Sequence, residues 1–230
     1  MTKAVFFDVG NTLVRACPSV AETFARVAAE RGHALTVRDV EPHMPALDAY
    51  YEAEYLRDGD FWCSHEGSVA IWLEQYRYLC HLIGIAHDAE GMARAVHETY
   101  RHAAGWEVFP DVEGCLRTLK RQGRTLGVVS NWDAELEGLL RELRLLPYFD
   151  VVVSSAAVGH RKPDPVVFDL ACEAVGVALG DAVHVGDRPD ADGEGAQRAG
   201  LRPVIVDRRD VEDGCPYERI LTLTDLPKLL

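Results

Sequence analysis

A chain of 230 residues is long enough for one α/β domain carrying an inserted second domain, and its 48% hydrophobic and 27% charged content are those of a packed globular protein. The formal net charge of −13, from 37 acidic against 24 basic side chains, repels phosphate backbones and anionic lipid, so neither nucleic acid nor a membrane is expected as a partner. Six cysteines (Cys17, Cys63, Cys80, Cys115, Cys172 and Cys215) lack a CxxC pair or metal-ligand spacing and read as reduced core residues; no apolar run reaches membrane-spanning length.

The opening Met1-Thr2-Lys3-Ala4 passes straight into an apolar run without the features of a secretory leader, and a cytoplasmic location is expected. That run, Ala4-Val5-Phe6-Phe7, is the first strand; it ends on Asp8 and the turn Val9-Gly10-Asn11-Thr12-Leu13. A long stretch of helical character follows, from about Ser19 to Ala104. Val20, Phe24, Val27 and Ala28 share one helical face, and further helices are predicted around Ala70 to Leu82 and Ala89 to Tyr100. Its many aromatic residues, among them Tyr50, Tyr51, Tyr55, Phe61, Trp62, Trp72, Tyr76 and Tyr78, read mostly as core packing, with a few lining a pocket that faces the sheet.

From Pro110 the pattern turns to short strand–helix units. A helix is predicted over Asp111 to Gln122, a strand over Thr125 to Val129 ending on Ser130, and a helix from about Asp133 with Leu136, Leu139, Leu140 and Leu143 on one face. Next come Val151-Val152-Val153, a helix from Asp164-Pro165 with Phe168, Ala171, Cys172 and Val175 on one stripe, the strand Ala182 to Val185 ending on Gly186-Asp187, the strand Pro203 to Val206, and a short terminal helix within Leu223 to Leu230. Strands alternating with helices imply a parallel sheet. The expected architecture is a Rossmann-like α/β core of residues 1–15 and 106–230 with a helical domain of residues 16–105 inserted after the first strand.

In an open parallel sheet, ligands bind in the crevice outside the carboxyl ends of the strands, so polar residues at strand ends are the site candidates. Asp8 alone reads more readily as a turn cap, but the polar groups that accompany it make it the candidate nucleophile, a carboxylate fixed at a strand end. Ser130, followed by Asn131, can hold a non-bridging phosphoryl oxygen. Lys162, one of only four lysines, offers a compact ammonium beside Asp8. Asp187 suits a hard cation such as Mg²⁺; Asp192 is expected to orient Lys162 or a water behind the site, and Asp190 to cap the following helix.

These residues, in this order, resemble the four motifs of the haloacid dehalogenase superfamily, in the subclass whose helical cap follows motif one: Asp8 with Thr12, then Ser130, then Lys162-Pro163, then Gly186-Asp187 with Asp192. The segments Ser130-Asn131-Trp132-Asp133 and Lys162-Pro163-Asp164-Pro165 resemble a poorly characterised branch of it. The resemblance implies a Mg²⁺-dependent phosphatase with Asp8, Ser130 and Lys162 catalytic, Thr12 and Asn131 joining Ser130 and Lys162 in binding a small phosphorylated substrate, and Asp8, Asp187 and the Gly10 carbonyl holding the metal in a monomer or homodimer. Family phosphatases carry a general acid and base two positions after the nucleophile, where this chain has Gly10. The gap leaves two alternatives: a non-catalytic phosphate-binding or regulatory protein, or a 2-haloacid dehalogenase, whose halide departs unprotonated.

Overall fold

The structure, a computed structural model, describes residues 2–57, 59–211 and 214–230; Met1, Asp58, Glu212 and Asp213 lie outside them. The chain divides into two compact units, one of Met1–Arg15 with Val108–Leu230 and one of Ala16–Glu107. No helix among the described residues is long and apolar enough to cross a membrane. The strands are β1 (Ala4–Phe7), β2 (Val14–Ala16), β3 (Trp106–Val108), β4 (Thr125–Ser130), β5 (Val151–Ser154), β6 (Ala182–Gly186), β7 (Arg202–Val206) and β8 (Glu218–Ile220). The helices are α1 (Val20–Glu30), α2 (Val37–Val40), α3 (Met44–Arg57), α4 (His65–Ile83), α5 (Ala89–Tyr100), α6 (Val112–Arg121), α7 (Leu136–Glu142), α8 (Ser155–Val158), α9 (Val166–Val175), α10 (Glu194–Ala199) and α11 (Leu226–Leu229).

In the first unit, the described residues form a six-stranded sheet in the order β5-β4-β1-β6-β7-β8, parallel throughout. Every residue of β1 and β6 is buried, as both faces of a helix-covered parallel sheet require. One face packs Ala4, Phe6, Val129 and Ala182 against Val167, Phe168, Ala171 and Cys172 of α9 and Ala196 and Ala199 of α10. On α6, Val112, Cys115, Leu116 and Leu119 form the buried stripe. From β1 the chain builds outward through β4 and β5, then returns to the other side for β6, β7 and β8. The sheet therefore reverses direction at β1, and its crevice opens at the carboxyl end of that strand.

The second unit is helical and has its own core, built from Phe24, Val27 and Ala28 of α1, Leu79 and Cys80 of α4, and Met92, Ala93 and Val96 of α5. Ser19 and Glu22 close a reciprocal capping box at the start of α1. Arg31 donates two hydrogen bonds to Asp88 at 2.6 and 2.7 Å, tying the end of α1 to the start of α5. Among the aromatics, Tyr51 stacks between Tyr55 and Trp72, and Trp72 stacks on Tyr76. Tyr55, Trp62 and Tyr76 are buried, whereas Tyr50, Tyr51, Phe61, Trp72 and Tyr78 are half-buried.

Two expectations need correction. Of the six free cysteines, only Cys80, Cys115 and Cys172 are buried; Cys17 is exposed, and Cys63 and Cys215 are intermediate. The short strands β2, β3 and β8 were not anticipated, because three residues, as in Glu218-Arg219-Ile220, are too few to show a period of two.

Gly127 of β4 sits tight against its neighbours: a Cβ there would lie 2.6 Å from Val151 Cγ1 and 2.7 Å from Phe6 Cδ1. Gly127→Ala is expected to destabilise the protein by about 1–3 kcal/mol through overpacking. Gly114→Ala, on α6 with open space around it, is expected to be stabilising by up to about 1 kcal/mol through helix propensity alone. Denaturant midpoints of the two variants measure both effects.

Candidate active site

Parallel pairing sets three polar groups side by side. Phe7 is in register with Val128 of β4 and Val185 of β6, so Asp8 stands level with Val129 and Gly186, and Ser130 and Asp187 lie one residue further along their strands. The Asp8 amide donates to the Val185 carbonyl at 2.8 Å, extending the ladder to the nucleophile candidate itself. Beyond it the chain folds sharply: Asn11 takes a left-handed backbone with φ 52°, which asparagine tolerates better than most residues, and its side chain hydrogen-bonds Asp187.

Asp8 is buried, and its two oxygens are in different circumstances. Oδ1 accepts from Ser130 Oγ at 2.8 Å and from Lys162 Nζ at 2.6 Å, while Oδ2 has no hydrogen-bond partner among the described residues. Lys162 is 2% exposed, and its ammonium also donates to Asp192 Oδ1 at 2.6 Å. Asp192 is fully committed: Oδ1 further contacts His184 Nε2 at 2.8 Å, and Oδ2 accepts from the Arg188 amide at 2.9 Å. The π-helical turn Pro189–Gly193 carries Asp192 back over the end of β6. Gly186 makes that approach possible, since a Cβ there would start 2.1 Å from the Asp192 Cγ.

The charges respond accordingly. Burial raises the Asp8 carboxyl above its ordinary value, Lys162 opposing and the Asp192 charge adding to the rise. For Asp192 and Lys162 burial favours the neutral forms, but their mutual attraction prevails: the carboxyl is driven well below the usual range and the ammonium above it. Asp187, half-buried, is pushed up to about 8 by burial and then by the charges of Asp8 and Asp192, with Lys162 and Asn11 opposing.

Oxygens of Asp8, Asp187 and Asp192 lie within 4.8 Å of one another. Three carboxylates against one ammonium leave a surplus of negative charge that a divalent cation would balance, and oxygen ligands suit Mg²⁺. Asp192 is the poorest donor of the three, because both of its oxygens already accept hydrogen bonds. Asp8 and Asp187 therefore fit the metal as protein carboxylates. The Gly10–Val14 bridge uses Asn11 N with Val14 O and Val14 N with Val9 O, so the Gly10 carbonyl is not consumed by it.

Three residues have surroundings other than those expected. The Asn131 carboxamide accepts from the Lys162 amide at 2.8 Å and donates to the Lys162 carbonyl at 3.1 Å, so it braces the lysine's backbone where substrate contact was anticipated. Thr12, expected to touch substrate, is completely buried, with a hydroxyl that has no partner among the described residues; its carbonyl accepts from Arg208 at 2.7 and 3.2 Å. Asp190 does not cap α10, whose preceding residue is Gly193, but forms a two-pronged bridge with Arg188. In the sequence His184 reads only as part of a strand. The available signal was its alternation with Val183 and Val185, which sets it on the same face as Gly186.

Comparison with known proteins agrees with this geometry. Residues 2–200 match the family of haloacid dehalogenase-like hydrolases. The haloacid dehalogenase-like hydrolase domain-containing protein 3 of Danio rerio is 32% identical over 98% of this chain and 95% of its own length. A glyceraldehyde 3-phosphate phosphatase of Methanopyrus kandleri is also 32% identical, over 93% of this chain and 87% of its own. Among solved structures, the HAD-hydrolase YfnB of Bacillus subtilis superposes with a TM-score of 0.80 at 19% identity, covering 100% of this chain and 98% of that one, which is a likeness of fold. With its sheet order, its strand-end carboxylates and a family match over most of its length, the chain belongs to the haloacid dehalogenase-like hydrolases.

Proposed function

We propose that this hydrolase is a Mg²⁺-dependent phosphatase of a small phosphorylated molecule, working through a phosphoryl group carried on Asp8. The observation that carries the reading is the asymmetry of that carboxylate: Oδ1 is held by Ser130 and Lys162, and Oδ2 is left for attack. Relatives described as phosphatases, including the Methanopyrus kandleri protein, support it.

In this reading Oδ2 forms a bond to phosphorus as the bond to the leaving oxygen breaks, and the leaving group takes the electron pair. Lys162 holds positive charge beside the transferring group, and Ser130 orients it. Water then attacks phosphorus, releasing inorganic phosphate and restoring the carboxylate. A divalent cation held by Asp8, Asp187 and the Gly10 carbonyl would supply further neutralisation of the phosphoryl oxygens. Asp192 keeps Lys162 protonated and aimed.

Gly10 has no group to give the leaving oxygen a proton, so alcohols with strongly basic oxygens leave slowly, and aryl or acyl phosphates are the best substrates. General acid help contributes roughly 10² to 10⁴-fold, which sets the size of the deficit. A dehalogenase reading also tolerates Gly10 but requires no metal, and a carboxylate cluster able to hold one therefore favours phosphoryl chemistry.

Asp8→Asn is expected to reduce aryl phosphate hydrolysis to the uncatalysed background, and a chelator to do the same reversibly. Survival of either activity would refute the reading. Gly10→Asp is sterically open, since a Cβ at this position would meet only Trp132 Cζ3, at 3.6 Å. It is expected to raise kcat/KM, which reports the step that expels the leaving group, by at least about tenfold on an alkyl phosphate and by much less on p-nitrophenyl phosphate, because in that step only the alkoxide needs the proton.

Because the folded-state pKa of Asp187 lies above its ordinary value of 3.8, its protonation stabilises the metal-free fold. That stability is fully present at pH below the ordinary value and is lost as pH rises toward about 8. The melting temperature of chelated protein is therefore expected to fall between pH 6 and pH 8.5. Asp187→Asn should flatten the decline, and Mg²⁺ should raise the wild-type value more at the higher pH. An unchanged slope in the variant would contradict the assignment.

A further inference from the structure

The phosphatase reading gives no role to His184, a buried polar side chain beside the site. His184 is completely buried in the middle of β6, where it pairs with Phe6 of β1 and Pro203 of β7. Its ring stands edge-to-face against Phe168 with centroids 4.9 Å apart, so it is gripped on its apolar side by α9. On its other side Nε2 reaches Asp192 Oδ1 at 2.8 Å, the same oxygen that accepts from Lys162 Nζ. Nδ1 is buried with no hydrogen-bond partner among the described residues.

This arrangement selects one form of the ring. With Nδ1 facing no acceptor and Nε2 facing a carboxylate, the stable species is the neutral imidazole protonated on Nε2, which donates to Asp192. Burial, which disfavours the imidazolium, acts in the same direction. An apolar residue here would satisfy the packing with Phe168 and the sheet. A donor is needed only because Asp192, reaching over Gly186, presents an oxygen to this face of β6.

We propose that His184 is a positioning residue for catalysis. By fixing Asp192 Oδ1, it holds the Lys162 ammonium on Asp8 Oδ1 and so keeps Asp8 Oδ2 turned toward substrate. The chain of contacts is continuous, from His184 Nε2 to Asp192 Oδ1 at 2.8 Å, to Lys162 Nζ at 2.6 Å, and to Asp8 Oδ1 at 2.6 Å. The inference rests on the phosphatase reading for its kinetic consequence, but its geometric consequence is independent of turnover.

The test compares two substitutions of similar volume, His184→Met, which removes the donor, and His184→Gln, whose Nε2 can still donate to Asp192. Crystal structures of both are expected to show Lys162 Nζ bonded to Asp8 and Asp192 in the Gln variant and moved off Asp8 in the Met variant. In steady-state hydrolysis of p-nitrophenyl phosphate, the Met variant is expected to lose about 10–100-fold in kcat with KM unchanged, the range typical of groups that orient a catalytic side chain from behind, and the Gln variant to recover most of that loss. Lys162 unmoved in the Met variant, or equal kcat losses in the two variants, would overturn the role of His184. A wild-type enzyme that hydrolyses no phosphate ester would overturn the phosphatase reading instead, and the Lys162 positions in the two crystal structures would still decide the inference.

Discussion

The shared hydrogen-bond donor beyond the carboxyl end of β1, the Lys162 ammonium held between Asp8 and Asp192, is the interaction on which the rest of the site depends. All three groups are buried, and taking charges out of water carries a penalty of several kcal/mol per ion, repaid only with good geometry and further hydrogen bonds. The structure meets that condition on every side: Ser130 bonds Asp8, His184 and the Arg188 amide bond Asp192, and Asn131 fixes the lysine's backbone. Breaking such a triad by removing one member strands a buried charge, which costs about 3–5 kcal/mol. So ordered an arrangement is poorly explained as stability alone, since apolar residues would pack the same space without the penalty. It is well explained as preorganisation of a nucleophile.

Sheet topology dictates where this can be built. At β1 the strand order reverses, and there the neighbouring strands on both sides end beside Asp8. Ser130 comes from one side and Asp187 from the other, while Lys162 enters from the loop before α9 and Asp192 from the turn after β6. Two glycines make the close approaches possible: Gly127, packed against Phe6, and Gly186, beneath Asp192. Gly10 is different in kind, because nothing crowds it. Its bareness is a chemical feature rather than a packing requirement, and it separates the proposed substrate preference of this chain from that of enzymes with an acid at the same place.

The fold was legible where hydrophobicity was strong and continuous. The runs Ala4-Val5-Phe6-Phe7, Leu126-Gly127-Val128-Val129 and Ala182-Val183-His184-Val185, alternating with helical segments, read as buried parallel strands, and they carry the site. Residues at their ends were therefore identifiable as candidates. Less was legible where a role depends on partners distant in sequence. Asn131 and Lys162 are 31 positions apart, and nothing local announces that one braces the other's backbone. Thr12 reads as a polar loop residue until its burial beneath Arg208 is seen. His184 was hidden inside an apolar run, where its partner Asp192 became visible only once the π-helical turn had folded back over Gly186. The polar edge strand β8 and the short β2 and β3 were unreadable for want of length.

The central claim is that Asp8 carries the phosphoryl group during turnover. It is tested most directly by acid-quenching the enzyme in the first turnover of an aryl phosphate, digesting it, and locating added phosphoryl mass by peptide mass spectrometry. The account predicts one phosphoryl group on the peptide containing Asp8 and none in Asp8→Asn. Turnover with that peptide unmodified, or with the group on another residue, would contradict it.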